Sequence, residues 1–138
     1  MRKLIFSAII IATATLFACS KEESIEIPTS LNNSTWCSAT DADTFEQTIV
    51  RFTDSENAIW SIIKKESGTN ITLSEAEYSY TYNAPNITLS PKMPDNPTIN
   101  GQMIKLDEDY IYLHLKSVGG AIDIRLTQMP DKDQTIWQ

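Results

Sequence analysis

The sequence predicts an all-β protein whose sheet closes on itself, an eight-stranded antiparallel up-and-down barrel. Three observations carry this. Apolar residues beyond position 34 recur with period two rather than 3.6. Clusters of Gly, Pro, Asn, Asp and Ser interrupt the pattern at short intervals. Sequential strands would leave two open edges, and closure removes both. A two-sheet sandwich is the alternative. It needs longer crossing connections, and only the segment 90–97, with Pro91, Pro94 and Pro97, is suited to be one.

The chain has 138 residues, 41% hydrophobic and 21% charged, which suits one packed domain and excludes wholesale disorder. Its 11 basic and 18 acidic residues give a net charge of −7, against the clustered Lys and Arg that nucleic acid needs. One His and two Cys leave few ligands for zinc or haem, and no metal or cofactor is expected.

The elements follow in order. Residues 1–18 read as a secretory signal: basic Arg2-Lys3, an apolar run over 4–17, then Ala18 before Cys19. The run of 14 residues is short of the roughly 20 that span a bilayer. Residues 19–33, rich in Ser, Glu and Asn, read as a flexible tether, 34–129 as the barrel and 130–138 as a C-terminal tail. Strands are expected over 35–39, 45–53, 58–64, 78–82, 87–89, 99–106, 110–116 and 121–127. Tyr78, Tyr80 and Tyr82 alternate with Ser79 and Thr81, the clearest period-two run. Ile111, Leu113 and Leu115 share one face of their strand, and Tyr110, Tyr112 and His114 the other. Gly119-Gly120 suits a hairpin turn with positive φ.

Two resemblances sit on these residues. Leu16-Phe17-Ala18-Cys19 resembles the lipobox of bacterial lipoproteins. It implies cleavage before Cys19, acylation of Cys19 with palmitate-like chains, and an outer-membrane protein held by lipid. Ser20-Lys21-Glu22-Glu23 resembles the surface-export signal of Bacteroidetes lipoproteins, or is simply a solvated tether. Cleavage would remove Arg2 and Lys3, leaving 9 basic and 18 acidic residues. Ser34-Thr35-Trp36 resembles the lipocalin Gly-x-Trp signature, with Ser in place of Gly, as in lipocalin-like lipoproteins of Bacteroidetes. That resemblance implies a calyx-like barrel with Trp36 at its closed end and Arg125 packed over it.

Candidate chemistry is sparse. No Gly-x-Ser-x-Gly or His-Glu-x-x-His motif is present. His114 is the one imidazole, and a Cys37–His114 pair would be the only nucleophile and base; a strand His and a buried inert Cys are the plainer readings. Asp41-Ala42-Asp43 begins like a calcium loop, but Phe45 and Glu46 occupy its fifth and sixth positions, where an oxygen ligand and Gly are needed. Asp107-Glu108-Asp109 reads as a solvated hairpin tip. Catalytic residues and a metal site are therefore not expected. The candidate ligand contacts are Tyr78, Tyr80, Tyr82, Tyr110 and Tyr112, because each ring joins apolar area to a hydroxyl. Two functions remain open: binding of a small apolar or amphipathic ligand, or docking of an exported protease or lysozyme through the proline-rich loop.

Overall fold

The structure, a computed structural model, describes residues 26–130. Cys19, the signal-like segment, residues 19–25 and 131–138 lie outside them. Eight antiparallel strands close into a barrel in sequence order: β1 (Ser34–Cys37), β2 (Glu46–Phe52), β3 (Asn57–Glu66), β4 (Thr69–Asn83), β5 (Asn86–Pro91), β6 (Ile99–Asp107), β7 (Tyr110–Ser117) and β8 (Asp123–Gln128). Closure rests on two residue pairs between β1 and β8, Trp36 with Gln128 and Cys37 with Thr127.

Alternation decides what enters the lumen. Val50, Phe52, Ala58, Trp60, Tyr78, Tyr80, Leu89, Leu113, Leu115 and Leu126 form one continuous core with Leu31 and Trp36. The strands meet closely where β6 passes β7. Gly101 pairs with Leu115 there, and a Cβ at Gly101 would lie 2.6 Å from the His114 carbonyl and collide with the Leu115 side chain. Glycine is therefore the residue that lets Leu115 lie across its neighbour.

The two ends differ in construction. One end, here the closed end, gathers the β2–β3, β4–β5 and β6–β7 turns and residues 26–33. The last are not a free tether, as the sequence suggested, but a strap across the barrel. Leu31 is 1% exposed, and Ile27 packs against the core. The physical reason is that a barrel bottom lined by Trp36 and Phe52 leaves apolar area that the two side chains cover. The other end, the open end, gathers the β1–β2, β3–β4, β5–β6 and β7–β8 connections. The β3–β4 hairpin stands above its neighbours because β4 is 15 residues long. A bulge between Ile62 and Ile63 bends it. At the β7–β8 turn Gly119 and Gly120 adopt φ of 100° and 82°, the expected left-handed pair.

Candidate functional site

The lumen is filled by side chains over most of its length. A cavity opens at each end. At the open end a cup of about 260 Å³ is walled by Trp60 and Ile62 of β3, Ala76 and Tyr78 of β4, Pro97 of the β5–β6 loop and Ile122. Ser74, Glu75 and Asn96 complete its lining. Period two on β3 and β4 makes this wall, because cross-strand partners share a face: Trp60 lies opposite Ala76, and Ile62 opposite Ser74. The Trp60 and Tyr78 rings lie 6.1 Å apart at 45° and set its floor. Burial pushes the Tyr78 phenol above its usual pKa. Around the cup stand exposed apolar side chains from every open-end connection: Phe45, Ile71, Leu73, Met93 and Val118.

The tyrosine stripe divides. Tyr78 lines the cup, and its hydroxyl makes no hydrogen bond among the described residues. Tyr80 and Tyr82 point into the same barrel but belong to the closed end. Tyr80 is 6% exposed, meets Phe52 edge-on at 4.8 Å, and donates its hydroxyl to the Asp54 carbonyl at 2.6 Å. Tyr82 donates to the Pro28 carbonyl at 2.6 Å. Both hydroxyls are thus engaged by the fold, and the role of Tyr80 is structural. Burial raises the pKa of both phenols, and the Asp54 carboxylate adds to the rise at Tyr80.

Tyr112 does not share a wall with them. It alternates with the inward Ile111 and Leu113, so it faces outward, stacked 5.7 Å from Tyr110 with the Arg125 guanidinium 5.2 Å over its ring. The expected pairing of Arg125 with Trp36 is therefore replaced. Arg125 alternates with the inward Ile124 and Leu126, which puts it on the outer surface with Tyr112. Trp36 is held instead by a polar relay, its indole N–H donating to Ser34 Oγ at 3.0 Å and the Ser34 hydroxyl to the Leu31 carbonyl at 2.6 Å. Trp36 does stand at the closed end.

The remaining polar candidates act locally. His114 Nε2 lies 2.6 Å from Asp123 Oδ1, and this bond holds the Asp123 carboxyl below the usual range. Asp41 accepts the Asp43 and Thr44 N–H groups at 2.8 and 3.0 Å, which lowers its pKa and caps a turn. No group of metal-ligating side chains is found among the described residues. Cys37 is half-buried rather than fully buried.

The second cavity, about 330 Å³, lies at the closed end between β7, β8, β1 and the strap, and Tyr110 and Trp36 border it. Sequence reasoning missed Trp60, Ile62, Pro97 and Ile122 as cup residues, and Glu26 and Gln128 as residues of the second cavity. Alternation marked Trp60 and Ile62 as sharing a face, which was the available signal. Pro97 was marked only as part of the proline-rich docking loop, and nothing local marked Gln128.

No family model, curated protein or solved structure matches the chain. The eight-stranded closed antiparallel barrel is a form compatible with the lipocalin-like class.

Proposed function

We propose that this protein is a non-enzymatic binding module, tethered to the outer membrane by lipid on Cys19, that takes a small apolar or amphipathic molecule at the open end. The apolar cup floored by Trp60 and Tyr78 is the observation that carries this reading. Its roughly 260 Å³ is slightly below the usual 300–1,000 Å³ of small-molecule sites. The ligand would seat one chain or ring in the cup and rest the remainder on the apolar rim. Ser74 and Asn96 at the mouth offer hydrogen bonds to a polar head. His114, the one imidazole, is engaged with Asp123 on the outer surface, which favours binding over catalysis.

The test is titration with octanol and octanoate, following heat and tryptophan fluorescence. Saturable binding that is lost in Ala76→Trp, which fills the cup, supports the reading. Binding unchanged in that variant refutes it. The tether is tested by Cys19→Ser, which is expected to leave an unprocessed, unlipidated precursor.

A second reading, docking to a protein through the open rim, is favoured by the exposed Met93 on the proline-rich loop together with Phe45 and Val118. It predicts that Met93→Asp abolishes inhibition of an exported protease or lysozyme, while octanol binding persists.

A further inference from the structure

We infer a second binding site, independent of the open-end cup, in the cleft where β8 parts from β7. Its ligand class is a small organic cation with an apolar body.

The cleft follows from the strand register. The β7–β8 ladder ends at the Leu113–Leu126 pair. Beyond it β8 continues through Thr127 and Gln128, which pair with Cys37 and Trp36 of β1. β7, however, begins at Tyr110. Over Tyr110–Tyr112 the two strands have separated, and the cavity of about 330 Å³ lies between them. Its volume falls within the range of small-ligand sites.

The walls are held in place. Pro28 forms one side and is fixed by the Tyr82 hydroxyl on its carbonyl. Glu26, beside it, is joined to Lys105 Nζ at 3.3 Å. The Trp36 ring is locked through Ser34 to Leu31.

The lining chemistry selects the ligand. Pro28, Ile111 and Tyr110 supply apolar and aromatic surface, and Tyr110 is 42% exposed, open to an incoming molecule. Asp109 supplies a carboxylate, Glu26 a second one already balanced by Lys105 Nζ at 3.3 Å, and Gln128 an amide. No basic side chain lines the cavity. Asp107 and Glu108 on the same turn deepen the negative field, which attracts cations and repels anions. An ammonium group would sit between Asp109 and the Tyr110 ring, where Coulomb attraction and the ring quadrupole act together. Its chain would lie against Pro28 and Ile111. Tyr82 touches no ligand in this arrangement and is a positioning residue.

The purified full-length protein is titrated with octylammonium, octanol and octanoate, three molecules of one shape and different charge. Each titration is repeated in Ala76→Trp, so that the open-end cup contributes nothing. Octylammonium is expected to bind more tightly than its two analogues and to weaken as salt rises. Asp109→Asn should weaken it about fivefold and Tyr110→Ala about threefold. Tyr82→Phe should also weaken it, through a looser strap. Equal affinities for the three molecules, or full affinity in Asp109→Asn, would overturn the inference. So would loss of octylammonium binding in Ala76→Trp, which would place the ligand at the open end. Asp109 is an exposed turn residue, so its variant is expected to fold. Failure of octanol binding at the cup leaves this result intact, and the reverse also holds.

Discussion

Trp36 and Trp60 stand at opposite ends of one lumen, and their surroundings differ. Trp36 is 1% exposed, roofed by the strap and tied by its indole N–H to Ser34. Trp60 borders empty volume, with the Tyr78 ring beside it. The same contrast runs through the tyrosines. At the closed end Tyr80 and Tyr82 give their hydroxyls to backbone carbonyls. At the open end the Tyr78 hydroxyl has no such partner among the described residues. The closed-end tyrosine hydroxyls are tied into the fold, whereas Tyr78 borders the cup. The two ends of the barrel thus differ in how far their aromatic side chains are tied into the fold.

Substitutions test that separation. The largest effect is expected from Trp36→Ala, at about 3–5 kcal/mol of unfolding free energy. Trp60→Ala should cost less, roughly 2 kcal/mol, because Trp60 is 8% exposed where Trp36 is 1% exposed and hydrogen-bonded to Ser34. Equal losses in denaturant titrations would break the comparison. Next comes the tyrosine pair. Tyr80→Phe removes a donor from the Asp54 carbonyl and should cost about 1–1.5 kcal/mol. Tyr78→Phe should stay within about 0.5 kcal/mol while changing ligand affinity.

The pH dependence sharpens the same contrast. Tyr78, Tyr80 and Tyr82 all have phenol pKa values raised by burial above the ordinary 10.0. Their contribution to stability is fully present below about pH 10 and is lost as pH rises through the folded values. The alkaline slope of the unfolding midpoint should be shallower in Tyr80→Phe. On the acid side, hydrogen bonds from Asn57 and the Glu56 N–H hold Asp54 below its ordinary 3.8. That stability is present above the usual aspartate range and is lost as pH falls through the lower folded value. Asp54→Ala should remove this part of the acid transition. The smallest effect is expected from Val118→Ser at the open rim, within about 0.5 kcal/mol in a thermal melt.

The barrel was legible because alternation and turn chemistry are local signals. Tyr78, Tyr80 and Tyr82 were placed on one face, and they share one. The first half of β4, Thr69–Glu77, carries only Ile71 and Leu73 at period two before Ala76, a shorter apolar signal than the Tyr78–Tyr82 run. What separated the three tyrosines was not local either. The carbonyl that engages Tyr80 is 26 residues away, and the one that engages Tyr82 is 54 away. The strap was read as tether because Ser, Asn and Pro dominate its composition, yet Ile27 and Leu31 alone are enough to seat it. Arg125 was placed over Trp36 by resemblance. The strand's own alternation, which sets Arg125 opposite Ile124 and Leu126, points it to the outer surface where Tyr112 lies.

The strap also orients the molecule. The chain enters the barrel at Glu26, on the closed end, so any anchor upstream pulls on that end alone. If Cys19 carries the proposed lipid, the seven residues from it to Glu26 can span at most roughly 25 Å, close to the length of an eight-residue strand. On the proposed lipid anchor, a barrel held that closely could lean but would not turn its mouth down onto the anchoring bilayer. Glu26, Asp54, Glu56, Asp107, Glu108 and Asp109 lie on the underside and would be repelled by lipid phosphates. Under the proposed anchoring, the mouth would point away from the membrane, toward the aqueous side.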